Sequence, residues 1–267
     1  MPYSEETLRE AVSLLQEEAA IEGDGINRAL RKRKGVTGCV VTPLTIGTAP
    51  LLLYLAMGSS GMPVFVSETR NVYRYRLNLL PMEDTEHFDL VQDRNGERKL
   101  YESCRVCGFE LRINNDDAIK LKLDVTGECP SVAYPYTDTF VPETGERFNS
   151  DCVKYKINGK EYRNIYGLTL STRKEEGTKT ELWIKRALET GSDIPEIIDE
   201  LTITTQLLRD KYECRHYSTF SITVKRLVLT ADETNVNSTD TVVGPFRYYV
   251  AGPVCAEVFS STGGNIV

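Results

Sequence analysis

Bulky apolar or aromatic residues alternate with charged ones along three long stretches, KLYESCRVCGFELRI (Lys99 to Ile113), AIKLKLDVTG (Ala118 to Gly127) and STFSITVKRLVLT (Ser218 to Thr230). A period of two sends successive side chains to opposite faces of a strand. Each stretch therefore has one face for a core and one for water or a partner. The pattern predicts a mainly β chain, an antiparallel β-sandwich or barrel whose function lies in its surfaces, because no catalytic constellation is superimposed on the alternation.

The 267 residues, 40% hydrophobic and 27% charged, suffice to bury a sizeable core, as one large β domain or as two modules of ordinary size. The 39 acidic and 32 basic side chains leave a formal net charge of -7. That balance argues against gripping nucleic acid through its phosphates, which takes a concentrated basic surface. The stretch after Met1, PYSEETLREAVSLLQEE, has neither the basic nor the apolar region of a secretory signal. The longest apolar run, Ala49 to Met57, falls well short of the roughly 20 residues of a membrane-spanning helix. A cytosolic chain that does not enter a membrane is the expectation. Its seven cysteines, an odd number spread from Cys39 to Cys255, fit reduced thiols, most of them small core residues.

Along the chain, residues 1–34 read as an N-terminal helical arm. Ser4 can cap a helix over Ser4 to Ala20, Glu5 and Glu6 suit its first turn, and Leu8, Ala11, Val12, Leu15 and Ala19 recur at helical spacing. A second short helix from Ile26 to Arg33 would close on the basic cluster Arg28, Arg31, Lys32, Arg33 and Lys34. Residues 35–130 form a first β module: a strand over Val36 to Leu44, a short apolar helix in Thr48 to Gly58, then strands at Val72 to Pro81 and His87 to Asp93. Asn95-Gly96 is a hairpin turn into the segment Lys99 to Ile113, and Ala118 to Glu128 returns antiparallel. Residues 131–151 are a linker or long loop, and 152–267 a second β module that repeats the style of the first, leaving room for two related halves.

The order of these signals from Gly35 to Glu128 resembles the major tail tube proteins of tailed bacteriophages, in the subfamily with a subunit of roughly 300 residues. The stretches that carry the resemblance are GVTGCVVTPL leading into APLLLYLAMGS, the aromatic strand VYRYRLNLLP, the hairpin FDLVQDRNGERKLYESCRVCGFELRI and the returning strand IKLKLDVTGE. The second half, with YKINGKEYRNIYGLTLS and FSITVKRLVLTADE, is similar in layout. The resemblance implies a virion structural protein that polymerises into stacked rings, trimeric or hexameric, around a DNA-conducting channel. It further implies a tape-measure protein and a tail terminator as partners, assembly in the host cytoplasm and a final place in the virion tail. An acidic lumen would let DNA pass without specific binding, which fits the charge of -7. A β-sandwich module that binds carbohydrate or a receptor is the alternative.

Individual residues do not favour chemistry. Cys104 and Cys107 have the spacing of a zinc or redox pair, yet a structural zinc needs four ligands and no second pair follows. His87 and His216 stand alone, and Asp116-Asp117 reads as a turn more readily than as half of a paired-carboxylate site. The run Arg31 to Lys34 could touch phosphates or a neighbour's carboxylates, and Asn237-Ser238-Thr239 matches a glycosylation sequon in a loop. Trp183 with Tyr73, Tyr75, Tyr248 and Tyr249 could form a sugar platform or serve packing and interfaces. No catalytic, cofactor-binding or metal-ligating residue is expected, and no enzyme.

Overall fold

The computed structural model describes residues 5–16, 30–58, 61–67, 72–94, 97–115, 117–127, 132–133, 146–163, 165–175, 177–187, 194–205, 218–232 and 242–261. In chain order the first strands are β1 (Glu5–Glu6), β2 (Arg9–Gln16) and β3 (Leu30–Pro43), followed by the single α-helix of the described residues, α1 (Ala49–Met57). Then come β4 (Val64–Ser67), β5 (Val72–Asn78), β6 (Phe88–Arg94), β7 (Glu97–Asn114), β8 (Lys120–Gly127) and β9 (Val132–Ala133). The remaining strands are β10 (Val153–Ile157), β11 (Lys160–Tyr162), β12 (Ile165–Arg173), β13 (Lys179–Ala187), β14 (Ile197–Thr205), β15 (Ser218–Asp232), β16 (Val242–Val250) and β17 (Val254–Ser260). Every pairing is antiparallel, and the expectation of a mainly β, antiparallel fold holds.

Alternation decides which face is buried. Val106, Phe109, Leu111 and Ile113 of β7 are buried while Arg112 and Asn114 are exposed; Leu121, Leu123 and Val125 do the same in β8, and Phe220, Ile222 and Val224 in β15. The hydrogen-bonded set splits into two layers at a corner in β15. Residues 218–224 of β15 pair with β17, which pairs on with β5 and then β4. Residues 227–232 pair instead with β16, which leads through β13, β12, β7 and β8 to β3. β14 runs along the other side of β15 and carries β10 and β11. At the corner Arg226 adopts a positive φ of 55°, and the backbone N–H groups of Ala251 and Gly252 donate to the carbonyls of Arg226 and Lys225. Both layers turn their apolar faces onto one core, where the Phe148 and Phe220 rings meet edge to face at 5.3 Å.

Helix α1 fills the space between the layers, touching β5 and β17 of one and β7 of the other. Its sequence, APLLLYLAM, is apolar all round, which suits a helix buried on most sides. Pro50 sits in the first turn, where its missing N–H costs nothing, and Gly58 ends the helix at φ 105° with its N–H on the Tyr54 carbonyl. The sequence expectation for this helix holds.

The N-terminal arm is a correction. Where a helix over Ser4 to Ala20 is expected, residues 5–6 and 9–16 are extended, pairing Glu5 with Val41, Arg9 with Thr37 and Gln16 with Leu30. The second expected helix, Ile26 to Arg33, gives way to β3 from Leu30 onward; residues 17–29 lie outside the described residues. A lone helix with one narrow apolar stripe has little to bury, whereas the edge of β3 offers a ladder of backbone partners, so tertiary context overrides helix propensity. The link between β1 and β2 crosses β3 at Gly38, where a Cβ would stand 2.6 Å from the Leu8 Cα. The Thr7 N–H donates to the Cys39 carbonyl at 3.0 Å, and Leu8 is buried. Gly38→Ala is expected to lift this link off β3 at a cost of about 1–3 kcal/mol, seen as faster amide exchange at Thr7 and Cys39 with little change in the core strands.

Strands from both sides of the 131–151 segment hydrogen-bond to one another: β7 pairs with β12, and β5 with β17. Most of that segment lies outside the described residues, but Phe148 bridges Leu44 and Ile119 through its backbone.

Candidate functional site

The residues singled out for chemistry do not converge. Cys104 is buried and its thiol donates to the Tyr101 carbonyl, while Cys107 sits at a β-bulge and donates to the Asp124 carbonyl. Burial, with Glu175 and Asp124 nearby, pushes the Cys107 thiol up to about 12. A thiol so held is protonated at neutral pH and a poor nucleophile. His87 is exposed after a short 3-10 turn (Met82–Asp84). Asp117 closes a turn: its carboxylate accepts from the Ala118 N–H and the Lys120 ammonium, both at 2.8 Å, and these hydrogen bonds, the Lys120 one first, hold its carboxyl below the usual range. Asp116, His216 and Asn237 to Thr239 lie outside the described residues. No group of three or more His, Cys, Asp or Glu among the described residues is placed to hold a metal ion.

The aromatic set also divides. Tyr75 and Tyr248 point into the core, Tyr73 lies on the smaller layer against Phe65, and only Trp183 and Tyr249 share the outer face of the larger layer. Arg31 to Lys34 lie in β3 rather than at a helix end.

Surfaces remain. Five rungs of the antiparallel ladder cross the outer face of the larger layer. One joins Lys185, Gly167 and Asn114; the next Arg247, Trp183, Thr169, Arg112 and Lys120. A third joins Tyr249, Glu181, Ser171, Glu110 and Lys122. Lys179, Arg173, Gly108 and Asp124 make the fourth, and Arg105 with Thr126 the fifth. These rungs hold eight basic and three acidic side chains. Each acid has a cation beside it: Glu110 has Arg112, Asp124 has Lys122 at 3.0 Å, and Glu181 has Arg247, whose guanidinium lies 5.7 Å from the Trp183 ring. With Asp117, whose carboxylate holds Lys120, counted in, the face has four excess positive charges on a chain of charge -7. Linear sequence hides it, because the charges come from five strands.

The ribbon formed by β6 and the first half of β7 is close to neutral, with Asp89, Asp93, Glu97 and Glu102 against Arg94, Arg98 and Lys99. It leaves the sheet at Ser103, whose φ is 54° and whose N–H donates to the Asp89 carboxylate at 3.0 Å. In and just after the 3-10 turn that precedes β6, Glu83, Asp84 and Glu86 are exposed. Since Val36, Gly127 and Cys104 share one rung, the β2–β3 ribbon and the β6–β7 ribbon extend past the same end of the sheet.

Two apolar surfaces are also exposed. Strand β4 pairs only with β5 among the described residues, and Val64, Phe65 and Val66 are 50%, 46% and 51% exposed. Ile197, Val228 and Tyr249 line up on one rung at the rim of the basic face. No protein-family model matches the chain, and a search of curated proteins finds no significant match.

Proposed function

We propose that the chain is a virion structural protein, a tail tube subunit that polymerises with copies of itself into stacked rings around a DNA-conducting channel. The observation that carries this is β4. A strand apolar on both faces suits burial on both faces, yet three consecutive side chains of this edge are about half exposed in the single chain. Long apolar edges are aggregation sites unless a neighbour covers them, and ring closure covers them. The order of elements adds support: the stretches that resemble tail tube proteins are β3, α1, β5, the β6–β7 ribbon and β8. Rings of three or six chains, a tape-measure protein and a tail terminator as partners, and a place in the virion tail belong to the same proposal.

Negative-stain microscopy of the purified protein tests it. Rings or hollow tubes are expected, and strictly monodisperse monomers under assembly conditions count against the proposal. Phe65→Lys should block assembly while shifting monomer stability by less than about 1 kcal/mol.

A further inference from the structure

We propose that the exposed apolar strip of β4 docks on a second copy of this chain, in the hollow beside Ile197, Val228 and Tyr249. The inference rests on the assembly reading above and names the surface that receives β4. Nine large hydrophobic side chains are exposed among the described residues, and seven of them fall in these two places. Met62 is 93% exposed, and with Val64, Phe65 and Val66 it makes a strip that holds no charged residue from Gly61 to Ser67. Where β14 meets the far arm of β15, Glu196, Ile197, Val228, Leu229, Thr230 and Ala231 line a hollow of about 390 Å³. Tyr249, opposite Val228, continues its apolar side onto β16. Ligand pockets run from about 300 to 1,000 Å³, so the hollow has room for the Phe65 ring or for the flexible Met62 thioether.

Area and position agree. With one aromatic and three aliphatic side chains about half or more exposed, the strip presents roughly 400 Å² of apolar surface. One partner gives about 800 Å² to a standard interface, a little over half of it apolar, so the strip supplies what such a contact needs. The two places lie at opposite ends of β15. Val64, Arg74, Phe259 and Thr219 share a rung, whereas Val228 stands nine residues further along β15, about 30 Å of strand and past the corner at Arg226. Each copy therefore gives its β4 at one end and receives a neighbour's at the other. Such a contact is heterologous, the arrangement that closes rings or propagates stacks.

A variant that leaves β4 intact tests the hollow. Ile197→Lys alters a side chain that is 63% exposed, and circular dichroism checks that it folds; Val228→Lys, on the facing strand, repeats the test. Ile197→Lys and Phe65→Lys should each, alone, need on the order of tenfold or more protein to assemble, as judged by sedimentation and microscopy. Mixed in equal amounts, they should form a discrete dimer of twice the 30.1 kDa chain. The intact β4 of the Ile197→Lys chain then meets the intact hollow of the Phe65→Lys chain, and neither end can extend further. If wild type assembles and the hollow variants assemble equally well, or the mixture holds only monomers, the docking assignment is wrong and the tube proposal stands. If wild type never assembles, both fall together.

Discussion

Replacing Phe220 with alanine is expected to lower the stability of the monomer by about 3–5 kcal/mol. Phe220 is 1% exposed and projects from the smaller layer; Phe148, which it meets edge to face, is tied by its backbone to Leu44 and Ile119 beside the larger one. Removing the ring takes away buried apolar area and opens a void at an aromatic contact between the two layers, and rigid strands on both sides limit collapse. Phe220→Leu, which keeps most of the volume, should cost less than half as much. Trp183 is the only tryptophan and lies on the other layer from Phe220, so its fluorescence in a denaturant titration reports whether damage in one layer is felt in the other. One shared transition at lower denaturant is the expected result; an unshifted Trp183 transition would show the layers to be energetically separate.

The second large effect concerns Lys174, at the end of β12. Its side chain is 3% exposed and its ammonium has no hydrogen-bond partner among the described residues. Burial lowers its pKa from 10.5 to about 8, and the nearby Cys107 offsets this only in part. Glu175 and Asp124 approach the same Cys107 from the neighbouring turn and from β8. Below pH 8 the lysine is protonated in both folded and unfolded chains, and the cost of burying the charge is fully present. Between pH 8 and about 10.5 the folded chain gives up the lysine proton that the unfolded chain still holds, which raises stability; above pH 9 the Cys107 thiol, held protonated up to about 12 in the folded chain, works in the opposite direction, so the net rise lies between pH 8 and 9. Lys174→Met should raise stability at pH 7 by about 3 kcal/mol and remove the rise above pH 8. Urea unfolding of both proteins from pH 7 to 10.5 checks this; two parallel curves would contradict it.

Much of the β architecture was legible in the chain. Alternation in Lys99 to Ile113 and Ser218 to Thr230 marked the strands, while the breaks at Ser103, Cys107 and Arg226 that switch the core-facing parity were not legible, and an apolar run ended by Gly58 marked α1. The N-terminus was misread because EETLREAVSLLQ satisfies local helical spacing, while the backbone ladder that wins comes from β3, some twenty residues away. Surface character was legible only in part. The net charge of -7 argues against a concentrated basic surface, whereas each strand contributes only two or so charges to the basic face and the register that aligns them is set by bulges at Cys107 and Lys185. The acidic turn at Glu83, Asp84 and Glu86, by contrast, is contiguous in sequence and exposed.

The corner in β15 bears on how the chain comes into being. Asn78 of β5 has Cys255 of β17 as its opposite partner, so the smaller layer waits for the last strand of the chain to be synthesised. At about 5–20 residues per second, Tyr75 and Leu77 leave the ribosome on the order of ten seconds or more before the strand that pairs with them. That edge of β5 lacks its β17 ladder throughout the interval, although α1, which packs on β5, is made before it. The β5–β17 ladder is therefore a late step of folding, and in a crowded cell the interval before it leaves that edge for chaperones to bind.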